Sequence, residues 1–479
     1  MLKILMATSE AVPFAKTGGL ADVLGSLPTA LMKSGADVRV IMPKYGSIPN
    51  ALKETITYKK NITIRMGWRN LFCGIEEAVY HGITYYFIDN EFYFNRVNLY
   101  GYNDDGERYA FFCRAVLEIL PYLSFTPDII HCHDWQTGMI PALLEIQYHH
   151  LDRYRNITSM FTIHNLRYQG VYGIHDMKEW FGLSNEHFRE DTLEFYGAGS
   201  FLKGALVYSK ILTTVSPTYA EEIKNPFFGE HMEGLLNARS GELFGIINGI
   251  DYDEFNPKTD KLIYQNFSKS NLTGKTVNKL ALQKELNLTS GEDIPMIGLI
   301  SRLVDQKGLD LIACVFNEIM SEDIQFVILG TGDEKYERLF GEAMQRYPGK
   351  VSANIRFDNI LAHKIYAASD LFLMPSLFEP CGLGQLISLR YGTLPIVRET
   401  GGLRDTVLSY REVTKEGNGF SFMHYNAHDM LHTIRRALEI YRNKTLRIKL
   451  CKTAMSCDYS WQSSAEKYMK LYETLIPKK

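Results

Sequence analysis

Arg302, Lys307 and Glu379 are the residues whose types and surroundings point most directly to chemistry on an anion. The two cations lie in the segment Ser301–Gly308, between an apolar run and a helical pattern. Because arginine offers a planar fork of donors and lysine a compact charge, such a loop suits a diphosphate. Glu379 begins the segment Glu379–Gly384, whose small residues before a helix would leave backbone N–H groups free for a phosphate. Taken alone, the Arg/Lys pair could equally be a solvated pair of surface charges.

A pair of glycines near the N-terminus offers a second place for a phosphate. In Lys16-Thr17-Gly18-Gly19-Leu20 the glycines follow the first apolar run and open a helical pattern. Gly18 and Gly19 would let backbone N–H groups approach an anion at a helix N-terminus. The segment does not match a P-loop, and by itself it could also be a tight strand-to-helix turn.

Histidine and aspartate residues follow two further apolar runs. His131-Cys132-His133-Asp134 ends one run, and alternation puts His131 and His133 on the same face of a strand. We expect polar residues at this strand end to line a ligand cleft, where Asp134 would accept hydrogen bonds from sugar hydroxyls. His164 follows the next run and is either functional or a structural histidine with satisfied ring nitrogens. A metal site would need third and fourth ligands, for which the sequence contains no motif.

The elements that must position these residues alternate between strands and helices. Short runs rich in isoleucine and valine are apolar on both faces, which is typical of buried parallel strands. We therefore predict an α/β fold with two doubly wound domains, whose ligands bind at the carboxyl ends of the strands and in a cleft between the sheets. The predicted strands are Lys3–Ala7, Asp37–Met42, Thr84–Ile88, Asp128–His131, Thr158–Ile163, Ile211–Val215, Ile294–Ile300, Ile324–Leu329, Asn354–Phe357, Asp370–Met374 and Leu394–Val397.

Composition argues against several classes of protein. The 479 residues carry 52 lysines and arginines against 55 aspartates and glutamates, a net charge of -3, so no nucleic-acid partner is expected. The seven cysteines include no C-x-x-C pair, which argues against a zinc site or a redox dithiol and favours a reducing, cytoplasmic location. No run of about 18 apolar residues occurs, so we expect no membrane partner.

Several motifs, each weak alone, occur in one order along the chain. They are KTGGLADV (16–23), HDWQTG (133–138), HNLRYQG (164–170), VSPTYAEEI (215–223), MEGLL (232–236), INGID (247–251), SRLVDQKG (301–308), FEPCGLGQL (378–386) and YGTLPIVRETGGLRDT (391–406). With these motifs the chain resembles the bacterial glycogen synthases and plant starch synthases, from Met1 to the region of Trp461.

The resemblance implies the GT-B fold, in which two Rossmann-like domains face each other across a cleft. The domains would be residues 1–246 and, for the nucleotide-sugar side, residues 247–457, and residues 458–479 would form a helix that crosses back to the first domain. The family transfers glucose, with retention of configuration, to the non-reducing 4-OH of an α-1,4-glucan. The donor is ADP-glucose in the branch with the KTGGL motif. Neither a metal nor another cofactor is implied, because arginine and lysine replace the metal.

The resemblance also implies roles for individual residues. Arg302 and Lys307 would bind the donor diphosphate and stabilise its charge as it departs. Glu379 would lie against the donor glucose, with Asp134 and His164 near its hydroxyls. The remaining implied positions are Asn248 in the active site, Lys16, Gly18 and Gly19 on the substrate side of the KTGGL motif, Cys381, Gly382, Leu383 and Gly384 with backbone N–H groups on the distal phosphate, and Phe357 against the nucleobase.

The acceptor site is predicted from an aromatic-rich segment, residues 92–102, which holds five aromatic side chains. Tyr93 and Tyr100 could stack against glucan rings, with neighbouring polar side chains reaching the hydroxyls. The rings could equally pack together beneath a long loop as a small core. The sequence leaves both interpretations open.

At two positions the sequence differs from the motifs of related glycosyltransferases, and no side-chain role can be assigned there. Gly384 stands where several relatives carry a side chain, so only a backbone role is implied there. Ile387 stands where the wider retaining GT-B group often has a second glutamate, which leaves the ribose contact unassigned, with Gln385 as a candidate.

Three alternative functions would be compatible with parts of this sequence pattern. A glucan phosphorylase would share the fold but would need a lysine-bound pyridoxal phosphate. A catalytically silent glucan-binding protein would not need Arg302, Lys307 and Glu379. An NAD-dependent oxidoreductase is disfavoured, because Gly330-Thr331-Gly332 lacks the third glycine of a dinucleotide-binding motif.

Overall fold

The computed structural model describes residues 1–476 and contains two compact units. The first unit comprises Met1–Gly249 together with the chain from Trp461 onwards, and the second comprises Ile250–Ser460. Each unit is built around a sheet of its own. The last three residues of the predicted C-terminal segment, 458–479, lie outside the described residues.

The first unit centres on a nine-stranded sheet. The strands of the whole unit, including three that lie outside this sheet, are β1 (Lys3–Ala7), β2 (Asp37–Pro43), β3 (Thr57–Met66), β4 (Arg69–Tyr80), β5 (Ile83–Asp89), β6 (Ile129–His133), β7 (Thr158–Ile163), β8 (Val171–Tyr172), β9 (Glu194–Phe195), β10 (Ala198–Ser200), β11 (Ile211–Thr214) and β12 (Leu243–Gly245). The large sheet has the order β12-β11-β7-β6-β1-β2-β5-β4-β3, and β8, β10 and β9 form a small separate sheet. Pairing is parallel from β12 to β5, whereas β5-β4-β3 form an antiparallel edge.

Helices connect the parallel strands of the first unit. They are α1 (Gly19–Lys33), α2 (Asn50–Lys53), α3 (Glu91–Phe94), α4 (Asp105–Glu118), α5 (Met139–Leu143), α6 (Ile174–Phe181), α7 (Phe201–Tyr208), α8 (Pro217–Glu222) and α9 (Glu233–Ala238). Helix α1 shows why the sequence forms them: Leu20, Leu24 and Leu31 recur at helical spacing and are all buried on one face.

The second unit has a six-stranded, wholly parallel sheet in the order β15-β14-β13-β16-β17-β18. The strands are β13 (Met296–Ile300), β14 (Gln325–Leu329), β15 (Val351–Asn354), β16 (Leu371–Met374), β17 (Leu394–Arg398) and β18 (Phe420–Phe422). The helices are α10 (Thr273–Glu285), α11 (Leu309–Cys314), α12 (Phe316–Ser321), α13 (Glu334–Arg346), α14 (Asn359–Ala368), α15 (Gly384–Arg390), α16 (Gly401–Thr406), α17 (Ala427–Arg442) and α18 (Lys444–Ala454).

Helices cover both faces of this second sheet. Ile297 and Leu299 of β13 belong to one buried cluster, which α11, α12, α13 and α17 complete. Met296 of the same strand belongs to a second cluster with Leu282 of α10 and Ile365 of α14. Successive side chains of a strand point to opposite faces, and here both faces are buried. For this reason β13 is apolar throughout. The predicted α/β fold class is thereby confirmed.

The final helix, α19 (Trp461–Leu475), belongs to the first unit and packs against α1. Tyr468 and Tyr472 are fully buried on its inner face. The Tyr472 hydroxyl lies 2.7 Å from Nδ1 of His131 in the middle of β6, so the helix is hydrogen-bonded as well as packed. None of the helices within residues 1–476 is long and apolar enough to cross a membrane.

One predicted strand is wrong, and several strands are not predicted, among them the antiparallel pair β3 and β4. We predict a strand over Asn354–Phe357, but β15 ends at Asn354 because its partner β14 ends at Leu329, with which Asn354 pairs. Phe357 instead lies beyond the sheet and is 88% exposed. The antiparallel pair β3 and β4 carries many exposed polar residues, so it lacks the two-sided apolar pattern on which the prediction depends.

Tyr93 belongs to the core of the first unit. Its side chain is 1% exposed, and its ring centroid lies 5.2 Å from that of Phe111. The Tyr93 hydroxyl donates to Glu107, which also accepts a hydrogen bond of 2.6 Å from Arg69. The sequence leaves open whether Tyr93 stacks against a glucan or packs in a core, and the structure shows the core role. The prediction that Tyr93 stacks against a ligand is therefore corrected.

Truncating Tyr93 should therefore destabilise the protein. We expect Tyr93→Ala to lower the free energy of unfolding by about 3 to 5 kcal/mol, as large aromatic truncations in cores do. Phe92→Ala is the matched control, because the neighbouring Phe92 is 74% exposed, and it should change stability by less than about 0.5 kcal/mol. Urea unfolding followed by fluorescence measures both. Equal stability of Tyr93→Ala and the wild type would contradict the core assignment.

Candidate active site

An ion pair lies at the carboxyl edge of the second sheet. Lys307 follows β13, and its Nζ lies 2.6 Å from Oε2 of Glu379, which follows β16. The Ser376 hydroxyl donates to the same carboxylate oxygen over 3.1 Å. Glu379 is only 7% exposed, so this carboxylate is oriented from two sides. Arg302 is exposed on the loop after β13 and forms no ion pair with any of residues 1–476.

The predicted phosphate-binding residues of the second unit converge on one cavity. Its volume is about 230 Å³, and its lining includes Arg302, Lys307, Ser376, Glu379, Gly382, Leu383 and Gly384. Cys381, in the same segment, is buried and does not line the cavity. The exposed Phe357 does not line it either. The structure thus brings the cations, the carboxylate and the small residues together, and it leaves Phe357 and Cys381 apart from them.

Two glycines allow the loops of this cavity to approach one another. A Cβ atom at Gly401 would lie 2.0 Å from the carbonyl oxygen of Glu379, and Gly401 has a φ of +43°. At Gly308, where φ is +69°, a Cβ would lie 2.0 Å from the carbonyl oxygen of Pro375. Neither position has room for a side chain, so both loops depend on glycine for their shape. The position of Glu379 is therefore set by backbone contacts.

Gln385 has a structural role that the sequence does not reveal. Its side chain is fully buried, and its amide donates to the carbonyl oxygens of Cys381 and Gly382 over 2.9 and 3.0 Å. The amide thereby ties the start of α15 to the segment before it. Because its side chain is fully buried, Gln385 is unsuitable for the ribose contact that the sequence suggests for it.

In the first unit, Glu10 organises the glycine turn of the KTGGL motif. Its carboxylate accepts hydrogen bonds from the Thr17 N–H over 2.5 Å, from the Thr17 hydroxyl over 3.0 Å and from the Gly18 N–H over 3.4 Å. Burial raises the pKa of Glu10 above its usual range. Of the two glycine N–H groups predicted to face a phosphate, that of Gly18 is thus bonded to a carboxylate, whereas Gly19 donates no hydrogen bond to Glu10. The sequence does not predict this role of Glu10. The only feature that could have indicated it is the position of a carboxylate three residues beyond the end of β1.

Lys16 and Tyr100 line one cavity of about 550 Å³ in the first unit. Lys16 forms a 2.6 Å ion pair with Asp22, which lies one helical turn inside α1. The Tyr100 hydroxyl lies 2.7 Å from Oγ of Ser9. Tyr100, unlike Tyr93, therefore contributes to the wall of a cavity, and its hydroxyl is held by the hydrogen bond to Ser9.

Asp134 follows β6 in a strained backbone conformation. It has φ +56° and ψ 175°, a region that residues other than glycine rarely adopt. Its Oδ1 accepts hydrogen bonds from the backbone N–H groups of His164 over 2.8 Å and of Asn165 over 3.4 Å. Burial raises the pKa of Asp134 to about 7. Strain of this kind persists where the surrounding structure holds it, and it is frequent at functional sites.

Three histidines lie in contact at the same edge of the first sheet. The rings of His131 and His133 have centroids 4.1 Å apart, and Nδ1 of His133 lies 3.0 Å from Nε2 of His164. Burial lowers the pKa of His131 and of His164 to about 3, so both rings are neutral. His131 and His133 are fully buried rather than lining a cleft, which corrects that prediction. Both ring nitrogens of His131 are engaged, by Tyr472 and Thr162, which leaves none for a metal.

Asn248 lies near the end of the first unit and is 7% exposed. Within residues 1–476, no group donates a hydrogen bond to its buried Oδ1. Buried polar side-chain atoms in native proteins nearly always have a partner. In the described chain, the Asn248 oxygen is an exception to this rule.

Comparison with known proteins covers the chain from end to end. A family profile described as starch synthase catalytic domain matches residues 3–238, and one described as glycosyl transferases group 1 matches residues 284–451. The glycogen synthase of Clostridium perfringens is 56% identical over 476 residues, which is 99% of this chain and 99% of that protein. The glycogen synthase of Geobacillus stearothermophilus is 54% identical over 477 residues, 100% of this chain and 98% of that protein.

A solved structure agrees with these sequence matches. The catalytic domain of starch synthase IV from Arabidopsis thaliana, bound to ADP and acarbose, superposes with a TM-score of 0.91 at 35% identity. The superposition covers 100% of this chain and 99% of that one. Sequence and structure therefore match the same kind of protein over the whole length.

Asp134 should make the stability of the wild type depend on pH. Because burial raises its pKa to about 7, its contribution to stability is full below the ordinary carboxyl pKa and is lost as the pH rises through about 7. Asn in its place keeps an acceptor for His164 and Asn165 but cannot ionise. We expect Asp134→Asn to melt near the wild-type temperature at about pH 5 and above it at about pH 8.

The control for charge removal is Asp152→Asn, whose carboxylate is 91% exposed and should not alter the pH dependence. Differential scanning calorimetry across this range measures all three proteins. If Asp134→Asn follows the wild-type pH dependence, Asp134 is not the titrating group.

Proposed function

The chain belongs to the family of bacterial glycogen synthases and plant starch synthases, and we propose that it transfers glucose from ADP-glucose to the non-reducing 4-OH of an α-1,4-glucan with retention of configuration. It is a glycosyltransferase with the GT-B fold, so its substrates are a nucleotide-sugar donor and a glucan acceptor. The observation that carries the proposal is the cavity shared by Arg302, Lys307 and Glu379. A cytoplasmic location is part of the same proposal.

Lys307 and Arg302 would bind the donor diphosphate. The Lys307 ammonium has three N–H donors, and within residues 1–476 Glu379 accepts from only one of them. Two donors therefore remain for phosphate oxygens, in an orientation that Glu379 maintains. Arg302, which has no ion pair in the described chain, would add a planar fork. Both charges stabilise the diphosphate most strongly when it leaves and its negative charge grows.

Glu379 would act on both the protein and the donor sugar. One of its oxygens, Oε2, receives the bonds from Lys307 and Ser376. The other oxygen is available to a glucose hydroxyl. A single carboxylate would thus link the position of the sugar to the position of the cation that binds the leaving group, which fixes their separation.

The first unit would supply the remaining contacts to the sugar. Asp134 and the neutral ring of His164 can exchange hydrogen bonds with glucose hydroxyls, and Asn248 has a free acceptor oxygen. Gly19 and Lys16 would approach the phosphates, while Glu10 keeps the turn in shape. Phe357, exposed on the second unit, would stack on the nucleobase.

Retention of configuration follows in this proposal from attack on the same face that the leaving group occupied. The bond from the anomeric carbon to the diphosphate oxygen breaks, and the acceptor 4-oxygen bonds to that carbon. The proton of the 4-OH passes to the departing phosphate oxygen. The charge on the diphosphate is stabilised by Lys307 and Arg302 throughout, so a short-lived ion pair replaces a covalent intermediate.

The donor, the linkage and the stereochemistry can be tested together. Purified protein is incubated with glycogen and either ADP-glucose or UDP-glucose labelled with ¹⁴C in the glucose. We expect faster incorporation from ADP-glucose, and digestion with β-amylase should release the label as maltose, because that enzyme removes α-1,4-linked units from non-reducing ends. Equal or faster use of UDP-glucose would refute the proposed donor. Label resistant to β-amylase would refute the linkage or retention.

The roles of the two cations predict a specific kinetic loss. Arg302→Ala and Lys307→Ala should each cost about 3 kcal/mol or more of transition-state stabilisation, roughly a hundredfold in rate. The loss should appear mainly in kcat, because the contacts strengthen as the diphosphate departs. Lys335→Ala is the matched control: this lysine pairs with Asp305 of the same loop over 2.5 Å but does not line the cavity. Near-normal turnover in both cavity variants would make the loop an ordinary charged surface.

A further inference from the structure

The second unit contains another cavity, at the opposite edge of its sheet from Arg302 and Glu379. This cavity, which we call the basic pocket, has a volume of about 480 Å³ and lies between α10 and α18. Its floor includes Asp370 and Leu394, which stand at the amino ends of β16 and β17. Because all strands of this sheet are parallel, their amino ends lie at the edge away from the carboxyl ends, where the donor cavity is found.

Basic side chains dominate the lining of the basic pocket. Helix α10 contributes Lys275 and Lys279, one turn apart, and α18 contributes Lys444, Arg447 and Lys452. The acidic residues of the lining are Asp370 and Glu292. Five cations thus face two carboxylates in a cavity of a protein whose net charge is only -3. Such a concentration of one sign attracts an anion.

Lys275 forms no ion pair with a carboxylate within residues 1–476. Its Nζ donates to the carbonyl oxygens of Ala367 over 3.2 Å and Tyr391 over 3.0 Å, and to the hydroxyl of Thr393 over 2.8 Å. Lys279, by contrast, pairs with Asp370 over 2.7 Å. Burial lowers the pKa of Lys275 to about 8. The Lys275 charge is thus surrounded by neutral oxygens rather than by a contacting carboxylate, and an anion in the basic pocket would stabilise it.

The cations of α18 are free to meet such an anion. Lys444 and Lys452 form no ion pair with any of residues 1–476. Arg447 has a long contact of 3.7 Å with Asp293, whose side chain is 79% exposed. The Arg447 guanidinium also lies 4.3 Å from the ring centroid of Tyr441, which holds it at the pocket wall. Guanidinium and ammonium groups placed together in this way favour phosphate oxygens.

We propose that the basic pocket binds a small phosphorylated metabolite at a site separate from the donor site. The cavity is in the size range of small-molecule sites. Besides the cations, Leu272, Leu394 and Ile448 line it, so an organic body bearing the phosphates has apolar surface to contact. Arg447, Lys444 and Lys452 would contact the phosphate groups. All three N–H groups of Lys275 are bonded within the protein, so this lysine would attract the anion by its charge alone.

Calorimetric titration of the whole protein with inorganic pyrophosphate tests the proposal. Excess ADP is present throughout, so that the donor site is filled. We expect saturable binding of one pyrophosphate per chain. The double variant Lys444→Gln with Arg447→Gln should bind more than about tenfold more weakly, because two charge-assisted hydrogen bonds to the phosphates are lost. The control is Lys449→Gln, since Lys449 lies on the same helix but does not line the basic pocket; its affinity should be unchanged.

Two results would overturn the proposal. One is the absence of saturable binding in the presence of ADP, although binding occurs without it, since that would locate pyrophosphate in the donor site. The other is equal affinity of the wild type and the double variant. Lys275→Met is less suitable as the only test, because it leaves buried carbonyl oxygens of Ala367 and Tyr391 without a donor and could impair folding. The α18 residues lie at the surface, so their variants keep the test valid.

Discussion

In both units, parallel strands buried on two faces leave only the strand ends accessible to ligands. All residues of β6 are buried, and β13 shares its side chains between two cores. A charged group in the middle of such a strand would have no water and no partner. The Lys307–Glu379 pair therefore stands beyond the carboxyl ends of β13 and β16. The basic pocket occupies the other edge of the same sheet, so one unit offers two chemically different surfaces.

Backbone contacts, more than side-chain packing, set the geometry of the candidate active site. The missing side chains of Gly308 and Gly401 allow loops to touch at distances that no other residue permits. Asp134 holds a strained φ of +56°, and two backbone N–H groups on its carboxylate keep it there. Such features cost stability, about 1 to 3 kcal/mol for a strained residue. The surrounding cores offset that cost.

The sequence predicts the parallel strands well because their two-sided burial demands continuous apolar runs. The runs predict β7 at the bounds it has in the structure. The pair β3 and β4 escapes the same reasoning, since exposed antiparallel strands need no such run. The order of the motifs predicts that Arg302 and Lys307 act together, and both line one cavity. No sequence pattern indicates Glu10, because its role depends on hydrogen bonds to a turn. The number of aromatic residues in 92–102 does not indicate which rings face the core. In the structure the ring of Tyr93 does so.

Because α19 belongs to the first unit, that unit is complete only when the C-terminal end of the described chain has been synthesised. Residues 250–460 leave the ribosome before α19 does, so most of the first unit emerges without the helix that covers α1. Until Tyr472 arrives, Nδ1 of His131 lacks the partner that it has in the finished protein. Domains commonly fold in the order in which they are made. Here the domain begun first is completed last, and nascent chains that stall before Trp461 would expose an apolar face of α1 to chaperones and proteases.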